Sequence, residues 1–321
     1  MLPVNATKRV GAYGAATFAD PGDCECAFGG RVQVTVTGSG EFKARLTWLR
    51  FRHLHVLRGC EELPRIAYVS LPPSRVFVSF PIGETPLIWD GIELRPGDIV
   101  FHNRAERMHQ RTTGEGQWGL ISLPAKQLAF DSHSLIGRRI SWPPAGRVLR
   151  PHPVARGRLL RLHRRACRLA ESKGQTLADP EAALALEQEL LHALVDCLGA
   201  DIASHNGKKR PRHANIMARF EEALTAHTAH PPTISEICAS IRVPERTLRV
   251  CCSEFLGMSP TRYMLLRRLN KARSALRHAD PATATVAEIA RSCQFSELGR
   301  FAVTYRTAFG ERPSTTLSRV G

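Results

Sequence analysis

The sequence predicts an α+β protein: a β-rich N-terminal barrel with a helical hairpin, then an all-α region with two helix-turn-helix motifs. Three observations predict it. Short β-branched or alternating runs bounded by Gly and Pro recur between about residues 25 and 124. Helical periodicity replaces them from Pro153 onward. One octet then occurs twice, as Thr233-Ile234-Ser235-Glu236-Ile237-Cys238-Ala239-Ser240 and Thr285-Val286-Ala287-Glu288-Ile289-Ala290-Arg291-Ser292.

In the N-terminal half, Arg31–Val36 alternates cleanly, and Phe42–Phe51, Arg75–Phe80, Asp98–Phe101 and Trp118–Ile121 are further short runs. Strands at roughly ten-residue spacing suggest a sandwich or a small barrel. Leu94-Arg95-Pro96-Gly97-Asp98-Ile99 sets a Pro-Gly turn before an apolar strand, as cupin-type barrels often do. All four tryptophans lie in this half, and an enclosed barrel lined by aromatics is a natural small-molecule site. Trp48, His53, His55, Trp89, His109 and Trp118 are therefore the candidate effector-binding residues. His53-x-His55 on a strand would face one way, but no carboxylate stands at the spacing of a cupin metal site. Cys24-x-Cys26 lacks a second ligand pair, so no metal or other cofactor and no catalytic residue is expected.

The chain has 321 residues, enough for two cores, and Lys+Arg 45 against Asp+Glu 29 gives a net charge of +16. That balance favours a polyanionic partner. No run reaches the roughly 18 apolar residues of a membrane span. Met1–Arg9 lacks the pattern of a signal peptide, and the nine cysteines include no C-x-x-C pair. A cytoplasmic protein with reduced thiols, no membrane partner and no enzymatic activity is the expectation. Between Ser132 and Ala170 ten arginines (138, 139, 147, 150, 156, 158, 161, 164, 165 and 168) occur with no acid, as a solvated face or an anion contact. Helices are predicted over Pro153–Ser172 and from Pro180 to about Ile202, the second with Leu184, Leu191, Leu194, Val195 and Leu198 on its apolar face. This helix packs on the barrel, on its copy in a homodimer, or on both. Asn206-Gly207-Lys208-Lys209-Arg210-Pro211 reads as a linker. The expected units are a β-rich domain over 1–130, a helical segment over 131–205, a linker over 206–212 and a helical domain over 213–321.

In the last unit, Ile216, Phe220, Ala223, Leu224 and His227 form one face of a first helix. Thr and Glu three apart in each octet make a capping box that starts a short helix. A tight turn and a second helix follow, giving helix-turn-helix units over 233–254 and 285–307. Val243, Leu248 and Cys251 or Cys252 point inward in the first unit; Phe295, Phe301, Tyr305 and Phe309 do so in the second. Gly257 and Gly310 end the second helices, and Ser259-Pro260 caps a long basic spacer helix. Glu245, Arg246, Arg249, Val250 and Ser253 then remain for the outer face of one second helix, and Gly299, Arg300, Val303, Thr304 and Thr307 for the other. A helix fits the major groove of double-stranded DNA, where Arg bonds bidentately to guanine. Arg246, Arg249 and Arg300 are the base-reading candidates, while Ser and Thr hydroxyls, helix N-termini and linker lysines suit phosphates.

Residues 213–321 resemble the C-terminal domain of the AraC/XylS family of bacterial transcription regulators. The likeness runs through Leu248, Gly257-Met258-Ser259-Pro260, Tyr263, Arg268-Leu269, Ala272-Arg273, Leu276, Glu288-Ile289-Ala290, Phe295, Phe301, Tyr305, Phe309-Gly310 and Pro313-Ser314. It implies a bipartite DNA-binding domain, an activator that contacts RNA polymerase, and an N-terminal effector or dimerisation domain. The chain departs from the family at Cys252, where Phe is common, and at Val250, where a basic residue is frequent. It departs again at Pro244, where Ser is usual, and at Cys293-Gln294, where a Gly typically precedes the aromatic.

Overall fold

A computed structural model describes residues 12–25, 31–172, 177, 179–199, 210–226 and 230–319. Cys26, His227, Ile202 and the linker residues Asn206 to Lys209 lie outside them.

Two antiparallel sheets build the N-terminal half. The first has the order β1 (Tyr13–Phe18), β3 (Ala44–Arg50), β4 (His55–Glu61), β11 (Gly116–Pro124), β6 (Arg75–Pro81), β9 (Ile99–Phe101) and β12 (Arg147–Leu149). The second has β2 (Arg31–Val36), β5 (Arg65–Ser70), β10 (Arg107–Thr112), β7 (Leu87–Trp89) and β8 (Ile92–Leu94). Each sheet keeps its own edges, so the predicted barrel is an open sandwich rather than a closed cylinder. Strands too mixed to stand out in the sequence, such as β4 and β5, fill the gaps between those expected.

Side-chain alternation separates two cores on either side of the first sheet. Phe77, Trp118 and Leu120 point between the sheets, with Phe42, Leu46, Trp89 and Met108. Val76, Val78, Phe80, Ile121 and Leu123 point outward instead. There they meet α2 (Ala125–Ile136), α3 (Pro153–Glu171) and α4 (Pro180–Gly199) through Leu128, Leu159, Ala166, Leu190 and Leu194. The expected division at residue 130 does not separate two cores, because β12 returns to the sheet and the helices cover it. Leu184, placed on the apolar face of α4, is exposed, since the helix begins beyond the edge of the core.

The helical domain comprises α5 (Arg210–Ala226), α6 (Ile234–Ile241), α7 (Glu245–Leu256), α8 (Pro260–His278), α9 (Val286–Ser292), α10 (Leu298–Phe309) and α11 (Pro313–Ser318). Since α5 begins at Arg210, the end of the expected linker is helical. This domain packs on the outer face of the second sheet: α5 and α7 meet β10, and α8 meets β2. Four layers result, in the order α2–α4, first sheet, second sheet, helical domain.

One carboxylate sits at the junction. Glu221 of α5 is buried and accepts from His109 Nε2 of β10 at 2.9 Å and from the Tyr263 hydroxyl of α8 at 2.7 Å. Arg267 of α8 donates to the same carboxylate and to Gln33 of β2. Beside it the Asn270 carboxamide pairs with the backbone of Val36, giving and taking a bond at 3.0 Å each way. It thereby closes part of an edge strand. Burial opposes the charge of Glu221, but Arg267, His109 and Tyr263 outweigh it and hold the carboxyl below its ordinary range.

Glu221→Ala leaves Arg267 charged and largely buried, so urea unfolding should show a loss of about 3–5 kcal/mol. Because the folded pKa of Glu221 is depressed, its contribution is complete above the ordinary carboxylate pKa. It is lost as pH falls through the folded value. The difference between wild type and Glu221→Ala should therefore shrink in acid.

Candidate nucleic-acid interface

Each predicted octet starts a helix as its sequence requires. Thr233 Oγ1 accepts from the Glu236 amide at 3.2 Å while Glu236 takes the Thr233 amide at 2.7 Å. Thr285 and Glu288 repeat this at 3.2 and 3.0 Å. Both short helices are followed by a residue in left-handed conformation, Arg242 at φ 50° and Gln294 at φ 66°. Gln294 thus occupies the backbone position for which the family's usual glycine is suited. Both second helices, α7 and α10, run for 12 residues and stop at a left-handed glycine, Gly257 and Gly310. The two units are one structural phrase written twice, the second one residue longer from its capping threonine to its terminal glycine.

Their cores differ. Phe295, Phe301, Tyr305 and Phe309 stack in sequence at centroid distances of 4.7, 5.5 and 4.8 Å. In the first unit Cys251 and Cys252 are fully buried in a cluster with Phe220, Phe255 and Tyr263. Aromatic volume absent at Cys252 is supplied by neighbouring elements. Burial pushes the Cys252 thiol well above its ordinary pKa, with Cys251 and Glu221 adding to the shift. Such a thiol packs as a small apolar group.

Spacer helix α8 carries less free charge than its sequence suggests. Arg267 is held by Glu221; Arg268 donates to Gln294 O at 2.7 Å and lies 4.2 Å over Phe295. Arg273 is buried, 4.6 Å from the Phe309 ring, and bonds Glu311 at 3.2 Å and the Gly40 carbonyl at 2.7 Å. These arginines set the second unit and the sandwich on opposite sides of one rigid rod.

The outer faces remain. Glu245, Arg246, Arg249 and Ser253 are all exposed on α7, and Arg249 donates to Glu245 at 2.9 and 2.5 Å. Gly299, Arg300, Val303 and Thr307 are exposed on α10. Thr304 is half-buried, and its hydroxyl proton goes to Arg300 O at 2.7 Å, as that of Thr307 goes to Val303 O at 3.0 Å. Both hydroxyls therefore present acceptor lone pairs and a methyl outward rather than a donor. Sequence reasoning missed Arg306, exposed one turn before Gly310. Aligning the two helices on their terminal glycines would have found it, opposite Ser253.

The six candidate effector residues do not converge on a cavity. Trp89 is buried and donates to Met108 Sδ at 3.1 Å; Trp118 is buried against Gly59. Trp48 packs on Gly14, and His109 is committed to Glu221. His53 precedes β4 rather than sharing its face, and its backbone is held by Glu187 and Arg75. Burial, with Arg75 and Arg50, lowers the His55 pKa to about 4. No group of three metal-ligating side chains occurs among the described residues. A cleft of about 1160 Å³ opens elsewhere, along α8 between β2, residues 20–22 and the ends of α5, α6 and α9. Gln33, Thr35, Met264, Leu265, Arg268 and Lys271 are among its lining residues.

A family model described as "Helix-turn-helix domain" matches residues 237–319. The chain is 34% identical over 160 residues to a "Probable thc operon regulatory protein" of Rhodococcus erythropolis, covering 47% of this chain and 48% of that one. It is 29% identical over 125 residues to a "XylDLEGF operon transcriptional activator" of Pseudomonas putida, covering 39% and 38%. The matches thus span half or less of these curated relatives. A solved structure of "a probable AraC family transcriptional regulator" from Rhodopseudomonas palustris is 38% identical, covering 33% of this chain and 96% of that one, with a TM-score of 0.30.

A Cβ built on Gly299, the second residue of α10, meets nothing within 4 Å. Gly299→Ala should therefore stabilise the protein, by up to about 1 kcal/mol from helix propensity. A rise in urea midpoint at unchanged slope would show it.

Proposed function

The chain belongs, through its C-terminal domain, to the AraC/XylS family of helix-turn-helix regulators, and from that premise we propose that it is a transcription activator reading two adjacent major-groove segments. The observation that carries this is the pair of equivalent helices, α7 and α10, each with an outer face free of the protein's own core. Arg246, Arg249 and Arg300 contact bases; Thr304 and Thr307, whose protons are committed within the helix, accept from base amino groups, while Ser253 donates to a base or a phosphate oxygen; Glu245 orients Arg249. Gly299 allows the α10 backbone close to the duplex. The two segments lie about 10 bp apart on one face of the DNA. Activation through RNA polymerase, a cytoplasmic setting and a homodimer follow the family reading, and the name of the Pseudomonas putida relative supports activation.

Selection of duplex sequences by the full chain, followed by anisotropy at two salt concentrations, tests the proposal. Arg246→Ala and Arg300→Ala should each cost about 1–3 kcal/mol on the selected sequence and relax its preference. Affinity should fall steeply with salt. Gly299→Ala, expected to stabilise the fold, should weaken DNA binding. Equal binding to scrambled DNA by wild type and variants would overturn the reading.

We assign the effector to the cleft along α8 rather than to the sandwich interior, which side chains fill. Lys271 is exposed and has no ion-pair partner among the described residues, and Met264 and Leu265 supply an apolar wall. A small organic anion with an apolar body fits that lining. Thermal shift of the full chain against a panel of carboxylates and their neutral amides should show a rise for a carboxylate alone, lost in Lys271→Glu. No shift with any carboxylate, or one indifferent to Lys271→Glu, would sink the assignment.

A further inference from the structure

Both reading helices present a valine at the same place. In each 12-residue helix, α7 from Glu245 and α10 from Leu298, the sixth residue is a valine, Val250 and Val303. Each stands two residues after the buried aromatic or leucine that anchors its helix, Leu248 and Phe301. At ~100° per residue it therefore faces almost directly away from the core. The two side chains are 51% and 68% exposed. The other exposed large hydrophobics among the described residues, Phe130, Leu135, Val154 and Leu184, all lie on α2, α3 and α4, beyond the sandwich.

Nothing within the fold accounts for a valine at these positions. A β-branched side chain is a poor choice on an exposed helix, where it loses χ1 freedom and packs on nothing. It also keeps apolar surface in water. Flanking side chains are of the other kind. Arg246, Ser253 and Glu254 stand one turn either side of Val250; Arg300, Arg306 and Thr307 do so for Val303. An apolar, donor-free centre between polar neighbours matches the one apolar feature of the major-groove floor, the C5-methyl of thymine.

We propose that Val250 and Val303 each read a thymine methyl, so that both half-sites carry a thymine at the position facing the middle of the helix. This rests on the DNA-reading function proposed above. Repetition at one structural position in both units makes the two thymines equivalent, about one helical turn apart. At Val250 this chain also departs from the basic residue frequent in the family it resembles.

The test uses the full chain and the duplex it enriches from a random pool. Each thymine is replaced singly by uracil, which removes only the methyl. One replacement in each half-site should weaken wild-type binding about three- to tenfold, the scale of one buried methyl. Val303→Ala should abolish that penalty in one half-site and Val250→Ala in the other, while Arg246→Ala leaves both intact. An enriched sequence in which uracil equals thymine throughout overturns the inference and leaves the DNA-reading proposal standing. So does a penalty that persists undiminished in both valine variants. Failure to enrich any sequence overturns the DNA-reading proposal itself and the inference with it.

Discussion

Glu221 is a buried carboxylate of α5 whose partners come from two elements on either side of the domain junction, and it ties the two domains together. His109 reaches it from β10, Tyr263 and Arg267 from α8, and Arg267 extends the network to Gln33 on β2. A charge in that position is costly unless its partners are all present. They are present only when the helical domain is seated on the second sheet. Hydrogen bonds of Asn270 to Val36 and of Arg273 to Gly40 continue the contact along α8. Polar geometry of this kind specifies one docking angle more narrowly than an apolar patch would.

Because α8 is clamped on one side by the sandwich, both helix-turn-helix units are referred to the same frame. Arg268 carries the constraint to the turn of the second unit at Gln294, and Arg273 carries it to Phe309 and Glu311. Two of the basic residues of α8, Arg268 and Arg273, are thus spent on holding the second unit.

Layer order separates the other charged feature from this one. The arginines of α3 lie beyond the first sheet, while α7 and α10 lie beyond the second. Arg158 pairs with Asp196 at 3.6 Å and Arg150 with Asp98 at 3.1 Å, and Arg147 lies over Phe101. Much of the run is therefore tied to α4 and to the sheet, with Arg161, Arg164, Arg165 and Arg168 exposed on the far face. Two chemically similar stretches have different positions, and only one of them lies on the side of the readers.

How much could be read from the sequence follows the range of the interactions involved. Capping boxes, terminal glycines, the α3 and α4 periodicities and the aromatic step of four in α10 are local, and all were legible. So were the outward residues of α7 and α10, apart from Arg306, since helical spacing by itself separates an inner from an outer face. The left-handed Gln294 was visible as a departure, though not what it did to the backbone. Sheet order was not legible, because β12 joins β9 and β1 joins β3 by long-range pairing that no local pattern encodes. Nor was the fate of the tryptophans and of His53, His55 and His109. An aromatic or imidazole suits a ligand cavity and a packed interior equally well, and the neighbours each one meets, such as Met108 for Trp89 and Glu221 for His109, come from distant parts of the chain. The sequence by itself determined the helices from α3 onward, several of the strands, the duplicated helix-turn-helix units and the residue types on their outer faces. Tertiary structure alone decided which charges were already paired, because Glu221 meets His109 across 112 residues and Arg273 meets Gly40 across 233.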